Sequence, residues 1–236
     1  LNNLTWTDTN SGNVYNDNNY GGTVGSFTNA ATGTYAKSGA GTTTFYVPFN
    51  NDGAVNVSAG ILALSGGGAV SSSGTFAVSS GATLDFDAGT TTLANGASLT
   101  GVGTFTISGG TLSVASGTAT LSNLSLTSGT LGGAGTASIG SLSESGGNLA
   151  INSLTLTGNS TWSGGNWNSA AASTATINSG VSLALPSNSR FFDYRAITNN
   201  GTVNWSGGNL HGGHGSSILN NLTWTDTNSG NVYNDN

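Results

Sequence analysis

A short glycine-bounded unit recurs along the chain and limits the folds open to it. The unit reads G-x-φ-x-φ-S-x-G, where φ is an apolar residue. Side chains of a β-strand alternate between its two faces, so the apolar pair of each unit lies on one face. We expect each unit to form a strand followed by a tight corner, with a second short strand after it. Four clear copies run from Gly53 to Gly60, from Gly74 to Gly81, from Gly103 to Gly110 and from Gly201 to Gly208.

The apolar pairs of these units predict the core. Their bounding glycines are predicted to occupy corners, because glycine adopts positive φ without steric cost. The predicted core residues are Val55, Val57, Phe76, Val78, Phe105, Ile107, Val203 and Trp205. The predicted corner glycines are Gly53, Gly60, Gly74, Gly81, Gly103, Gly110, Gly201 and Gly208.

The spacing of the units predicts how they assemble. Less regular copies and recurring asparagines give a mean period of about 21 residues, and a unit of that length cannot bury its apolar face alone. Stacked units would share one core, so we predict an all-β fold, a parallel β-helix (β-solenoid) with about ten turns per 218 residues. We predict a right-handed parallel β-helix, because right-handed winding is the usual sense of parallel crossovers. An asparagine stack along the turns is predicted at Asn29, Asn50, Asn178, Asn199 and Asn220.

A longer repeat frames the whole sequence. Residues 1–18 and 219–236 are identical, which defines a 218-residue repeat. Eighteen identities do not arise by chance. We therefore expect residues 1–236 to form a single continuous solenoid segment that spans one repeat of a longer tandem array.

Composition excludes several classes of protein. The chain has three Lys or Arg residues against nine Asp or Glu, a net charge of −6, and neither Cys nor Met. Without cysteine there is no disulfide framework, thiolate metal site or cysteine nucleophile. The acidic balance argues against nucleic acid as a partner, and no apolar run reaches the roughly 18 residues of a membrane span. We expect no cofactor and no catalytic or metal site.

The segments GTFTISGGTLSV and NNGTVNWSGGNL resemble repeats of large bacterial surface proteins. These are the filamentous-haemagglutinin-like and autotransporter-type adhesins, and the resemblance covers nearly the whole chain. It implies an exported, elongated, non-catalytic filament, stalk or adhesin, secreted or held at the cell surface. The implied partners are copies of the chain itself, with surface polysaccharide or neighbouring filaments as further possibilities. No catalytic residue carries over, since the family pattern has none.

One acidic pair keeps an enzymatic alternative open. Asp85 and Asp87 lie two residues apart in LDFD, so both carboxylates face one side of a strand. A polysaccharide-degrading β-helix enzyme would use such acids together with a nearby cation. Lys37, Arg190 and Arg195 are distant in sequence, so we favour a solvated acidic spot or a weak calcium contact. A carbohydrate-binding module is a related alternative.

Two further segments carry candidate binding residues. His211 and His214 could share a metal ion only with a third ligand, and we expect instead a glycine-rich corner with exposed imidazoles. The segment RFFDYR predicts a loop or lateral protrusion, and we favour a local Arg–Asp pair with aromatic packing over the core there. The alternative is a lateral patch that contacts a partner, since Arg and Tyr are frequent at binding hot spots. The predicted patch consists of Arg190, Phe191, Phe192, Asp193, Tyr194 and Arg195.

Lys37 and Glu144 fall at predicted core positions of irregular units. Burying a lone charge is costly, so we expect the register to slip there, the alternative being an outward turn at a bulge. Alternating threonines raise an ice-binding alternative, but their uneven intervals predict no regular array. These pairs are Thr5/Thr7, Thr104/Thr106, Thr118/Thr120 and Thr155/Thr157.

Overall fold

The computed structural model describes residues 1–17 and 22–235, which form thirty β-strands and no helix. The first fifteen strands are β1 (Thr5–Asp8), β2 (Gly12–Val14), β3 (Phe27–Asn29), β4 (Thr34–Lys37), β5 (Thr42–Phe45), β6 (Phe49–Asn51), β7 (Ala54–Val57), β8 (Ile61–Leu64), β9 (Gly68–Val70), β10 (Thr75–Val78), β11 (Thr83–Phe86), β12 (Thr90–Leu93), β13 (Ser98–Gly101), β14 (Thr104–Ile107) and β15 (Thr111–Val114). The remaining strands are β16 (Thr118–Leu126), β17 (Thr130–Gly132), β18 (Thr136–Glu144), β19 (Asn148–Leu149), β20 (Ser153–Leu156), β21 (Ser160–Trp162), β22 (Ser173–Ile177), β23 (Ser182–Leu185), β24 (Arg190–Phe191), β25 (Arg195–Asn199), β26 (Thr202–Trp205), β27 (Leu210–Gly212), β28 (Ser217–Asn220), β29 (Thr223–Asp226) and β30 (Val232–Asn234).

The strands stack in parallel into three faces of a solenoid. Face 1 contains β1, β4, β7, β10, β13, β20, β22, β25 and β28. Face 2 contains β2, β5, β8, β11, β14, β21, β23, β26 and β29. Face 3 contains β3, β6, β9, β12, β15, β17, β19, β24, β27 and β30. The nine-residue strands β16 and β18 pass from face 1 to face 2.

The predicted β-solenoid is confirmed, with about ten turns of about 21 residues. Individual turns vary, since Thr34 lies opposite Thr5, whereas Ser153 lies opposite Thr136. Strands lie on three faces and most turns contain three of them, so the expected two-strand unit is wrong. The third strand escapes the sequence pattern because face-3 strands are short, down to two residues in β19.

The core lies inside the stacked turns. Inward residues of consecutive strands are directly opposite one another, as Val55 is to Phe76. A buried Val, Leu or Phe side chain stabilises the fold by roughly 1.5–3 kcal/mol. All eight residues predicted for the core are at most 4% exposed: Val55, Val57, Phe76, Val78, Phe105, Ile107, Val203 and Trp205.

Glycine is required at these corners for two different structural reasons. A Cβ on the first glycine of each unit would lie 2.2–2.3 Å from a backbone oxygen of the preceding turn, so close packing requires glycine there. Positive φ applies only to three of the second glycines, with φ of 67–78°. The first group is Gly53, Gly74, Gly103 and Gly201, and the positive-φ group is Gly60, Gly81 and Gly208. Gly110 lacks a positive φ, but a Cβ there would lie 2.8 Å from the backbone oxygen of Ala88, so it too is closely packed.

The glycine-bounded unit is not tied to one face. Gly53 and Gly74 precede the face-1 strands β7 and β10, whereas Gly103 and Gly201 precede the face-2 strands β14 and β26. The unit therefore specifies a strand and its corner but leaves open which face the strand joins.

Candidate functional site at the two ends of the solenoid

The repeated segment occupies both ends of the solenoid, on opposite edges. In the first copy, β1 pairs with β4 and β2 pairs with β5 of the following turn. In the second copy, β29 pairs with β26 and β30 pairs with β27 of the preceding turn. The same sequence thus pairs with the turn that follows it at one end and with the turn that precedes it at the other.

Both copies form the same strand TWTD and the same turn after it. The backbone N–H of Asn10 donates to Asp8 Oδ1 at 3.0 Å, and that of Asn228 donates to Asp226 Oδ1 at 2.9 Å. The different neighbours at the two ends therefore leave this turn unchanged. A second shared contact joins the amide of Asn13 to the hydroxyl of Tyr15 and the amide of Asn231 to the hydroxyl of Tyr233.

Each copy leaves apolar surface uncovered. Trp6 lies opposite the buried Tyr35 and remains 53% exposed, since among the described residues β1 pairs only with β4. Its counterpart Trp224 packs against the core from the other side. Open parallel edges with apolar side chains are sites for further strand pairing. The other exposed apolar residues at the ends are Leu1, Leu4, Val14, Tyr15, Leu219, Leu222, Val232 and Tyr233.

Asparagine ladders also lie at the two ends, and all their rungs except the exposed Asn220 are buried. At the first end, Asn2 donates its amide to Asn29 Oδ1, and Asn29 donates to Asn51 Oδ1, both at 2.8 Å. At the other end, Asn199 donates to Asn220 Oδ1 at 2.7 Å. Each donor amide also binds a backbone carbonyl of the next turn, so the ladder satisfies buried polar groups.

Two of the five asparagines predicted for this stack are not in it. Asn50 points outward, because strand alternation places its neighbours Phe49 and Asn51 inside. Asn178 is displaced by one position, since Ile177 lies opposite Asn199. Both turns are longer than the predicted mean period, and a fixed spacing does not anticipate this difference.

The predicted lateral patch is corrected at its arginines. Arg190 and Arg195 are fully buried, as is nearly all of Phe192, whereas Phe191 is 37% exposed. The arginine N–H groups bind backbone carbonyls rather than Asp193, so the expected Arg–Asp pair is also wrong.

The Arg195 guanidinium donates hydrogen bonds to backbone carbonyls of several turns from inside the solenoid. Its Nε donates to the carbonyl of Trp167 at 3.1 Å, and one Nη donates to that of Leu149 at 2.6 Å. Its other Nη donates to the carbonyls of Ile151 and Thr174, each at 2.9 Å. Arg190 makes similar contacts, and burial lowers the pKa of each arginine to about 10, a shift that the nearby Glu144 opposes.

Glu144 is buried with its register intact, so the expected slip is wrong. It lies opposite Leu126 and Trp162 and accepts a hydrogen bond from the indole of Trp167 through Oε2, while Oε1 has no partner. Burial raises the pKa of this carboxyl well above its ordinary value and outweighs the opposing effects of the Trp167 hydrogen bond and the two arginines.

Lys37 is also buried in register, opposite Val57. Its ammonium donates to the carbonyls of Asn10 at 3.0 Å and Gly39 at 2.6 Å, which replaces hydration without a bulge. Since Arg190 and Arg195 are buried too, all three Lys and Arg side chains of the chain are inside. Apart from its histidines, the outer surface is therefore neutral or acidic.

An outward aromatic stack runs over the last turns. Phe191, His211 and Tyr233 stack with centroid separations of 4.6 Å, and Tyr15 stacks on Tyr46 at 4.9 Å at the first end. Stacked rings cover one another's faces. The arrangement thus stabilises turn pairing rather than offering flat rings to a ligand.

The two histidines have acidic partners from other turns. His211 Nδ1 lies 2.9 Å from Asp235, and His214 Nδ1 lies 3.8 Å from Asp193. His214 also stacks on Tyr194. These pairs could not be predicted from the sequence, because the partners are far apart along the chain. In the described part of the chain, no three His, Cys, Asp or Glu side chains are placed to hold a metal ion.

The acidic pair lies on face 2. Asp87 accepts a hydrogen bond from the hydroxyl of Ser65, and Asp85 accepts one from that of Ser108. Burial raises the pKa of Asp85, opposed by the Ser108 hydrogen bond and assisted by the charge of Asp87. Because every Lys and Arg is buried, neither kind of side chain reaches this surface.

A hydroxyl face missed by the sequence pattern lies on face 1. Outward Thr and Ser pairs stack in register through four consecutive turns, because corners absorb the uneven intervals. Thr104/Thr106 belongs to face 2, and Thr157 follows the end of β20, so the predicted pairs do not form one array. The hydroxyl face consists of Thr118/Thr120, Thr136/Ser138, Ser153/Thr155 and Thr174/Thr176.

Comparison with protein-family models, curated proteins and solved structures finds no match to this chain. Among residues 1–17 and 22–235 there is no helix long and apolar enough to cross a membrane.

Proposed function

We propose that this chain is a structural repeat of a long extracellular bacterial filament, stalk or adhesin, and that it acts mechanically rather than catalytically. The observation that supports this proposal is the strand pairing of the repeated segment. Its first copy pairs with the turn that follows, and its second copy pairs with the turn that precedes it. In a tandem array, one copy of the segment would make both sets of contacts, and its half-covered Trp6 would be enclosed.

The surface chemistry supports an exposed fibre. Lys37, Arg190 and Arg195 are buried, so proteases and reagents that need a basic side chain have no access in the folded state. The absence of Met and Cys removes the most easily oxidised side chains.

Small-angle scattering on two chains tests continuity. The first is the 236-residue chain, and the second carries one further 218-residue copy after it. Stacked strands are about 4.8 Å apart, so the added copy extends the rod by about 50 Å. The added copy should unfold together with the first, since they share one core.

Trp224→Asp in the longer chain is the matched control, because it places a charge in the shared junction. We expect this variant to bend or to unfold in two steps. A longer chain that behaves as two bodies on a flexible link would contradict the filament.

Cell-surface location is tested separately. Antibodies against this chain should stain intact cells of the source bacterium. Staining that requires permeabilised cells would refute the extracellular assignment.

The hydroxyl face favours ice binding as a second candidate. Its paired columns repeat about every 4.8 Å between turns and about 6.6 Å along each strand, a lattice that can order water. A thermal hysteresis measurement decides between the two. Thr120→Tyr and Thr155→Tyr should abolish any hysteresis, while the face-2 variant Thr106→Tyr should retain it.

A further inference from the structure

The two copies of the repeated segment lie on different faces. Thr5–Asp8 pairs within face 1, whereas its copy Thr223–Asp226 pairs within face 2. Ten full turns and one additional face separate them. The long repeat therefore does not contain a whole number of turns.

Two other parts of the segment show the same displacement. Asn2 bridges to Asn29 on face 3, and its copy Asn220 pairs with Asn199 on face 1. Val14 pairs on face 2, and its copy pairs on face 3. Each part has moved by one face in the direction of the chain, so three separate pairings agree.

Superposing the two copies joins chemically matched inward columns. The position of Trp6 and Trp224 would lie between Val203 and Tyr35, so aromatic and apolar groups meet. The second column is formed by Leu210, the position of Val14 and Val232, and Phe45.

The side-chain ladders join in the same way. Asn199 donates to Asn220, and the identical Asn2 donates to Asn29, so one continuous asparagine ladder crosses the junction in a single donor direction. The outward stack likewise continues from His211 through the position of Tyr233 and Tyr15 to Tyr46.

We infer that successive 218-residue copies in the array are rotated by one face, about a third of a turn, relative to one another. This inference rests on the proposed tandem filament, in which each copy contacts a second copy of the chain. The original orientation returns after three copies, which together make about 31 turns and a rod of about 150 Å.

The rotation determines what the filament displays. Each outward feature, such as the Asp85 and Asp87 pair or the hydroxyl face, appears in turn on all three sides. Any bend caused by unequal turns is also averaged over three directions. A filament of this kind would bind partners from any side at sites of one composition.

Cysteine pairs test the junction, since the chain has no cysteine of its own. Asn204 and Thr225 are outward and directly opposite, and adjacent strands are close enough for a disulfide. We expect Asn204→Cys/Thr225→Cys to lose its free thiols on mild oxidation. Thr198→Cys/Thr225→Cys should keep its thiols, because Thr198 lies on face 1.

The same pairs are then placed in the chain with a second copy. There Thr225 is also the second copy's Thr7, so a separate variant with cysteines at Thr225 and at the second copy's Ala36 should lose its free thiols as well. A disulfide from Thr225 to Thr198 in place of Asn204 would overturn the rotation and leave the filament intact. Pairing with Asn204 but never with the second copy's Ala36 would instead refute the continuous filament, and the rotation with it.

Discussion

Asn199 donates its side-chain amide to the side-chain oxygen of Asn220 at 2.7 Å, in the same geometry by which Asn2 binds Asn29 at the opposite end of the solenoid. Asn220 and Asn2 are the same residue of the repeated segment. The relationship shows that each end of the chain carries half of one polar ladder.

Asn29 is expected to be the most sensitive rung. It accepts from Asn2 and donates to Asn51 and to the carbonyl of Ala54. Asn29→Ala leaves buried groups unpaired and should cost about 1–3 kcal/mol of unfolding free energy, measured by urea denaturation. The half-buried Asn50 provides the control, and an equal loss in Asn50→Ala would refute the ladder's role.

The two kinds of corner glycine should respond differently to alanine. In Gly53→Ala the new Cβ would meet backbone oxygens of Ala30 and Gly33 at 2.3 Å, so we expect a loss of about 3 kcal/mol or more. In Gly81→Ala the site is open and only the positive φ is unfavourable, which costs about 1–2 kcal/mol. Thermal denaturation gives the order, and the reverse order would contradict the two reasons.

Glu144 should make the chain less stable as pH rises. Its folded pKa is raised by burial above the ordinary value of 4.5, so the unfolded chain releases its proton first. The stabilising contribution of the protonated carboxyl is complete below pH 4.5 and is lost as pH rises towards the folded pKa, by up to about 1.4 kcal/mol per pH unit.

Glu144→Gln isolates this effect, because Asp85, whose pKa is raised as well, remains in both proteins. Urea denaturation across a pH series should show a shallower fall for the variant. Identical pH profiles would show that the buried carboxyl does not titrate as described.

Lys37 should resist amine-reactive reagents in the folded chain. Its ammonium is enclosed and bound to two carbonyls. Peptide mass mapping should find it unmodified until urea unfolds the protein. Asn56→Lys is the matched control, since Asn56 is exposed on the adjacent strand and should be labelled rapidly.

Sequence periodicity was sufficient for the fold class and the core positions tested. The glycine-bounded units mark strands because alternation and close backbone packing are local requirements, as at Val55, Val57 and Gly53. The exact register between turns could not be predicted from the sequence period, because turns longer than the mean displace Asn50 and Asn178 from the ladder. Corner length is decided by packing between turns.

Buried charge was the largest departure from expectation. When only sequence neighbours are considered, the lone charges of Lys37 and Glu144 are not expected inside the core. Their partners come from other turns, as Trp167 does for Glu144 and Asn10 does for Lys37. Arg195 likewise binds the carbonyl of Leu149, 46 residues away.

The sequence alone determined that this chain forms short strands and glycine corners with a short mean period, because those properties depend on residues within one turn. Only the tertiary structure decided which face each strand joins, because the accumulated lengths of all preceding turns set that position. The identical strands Thr5–Asp8 and Thr223–Asp226 therefore lie on different faces.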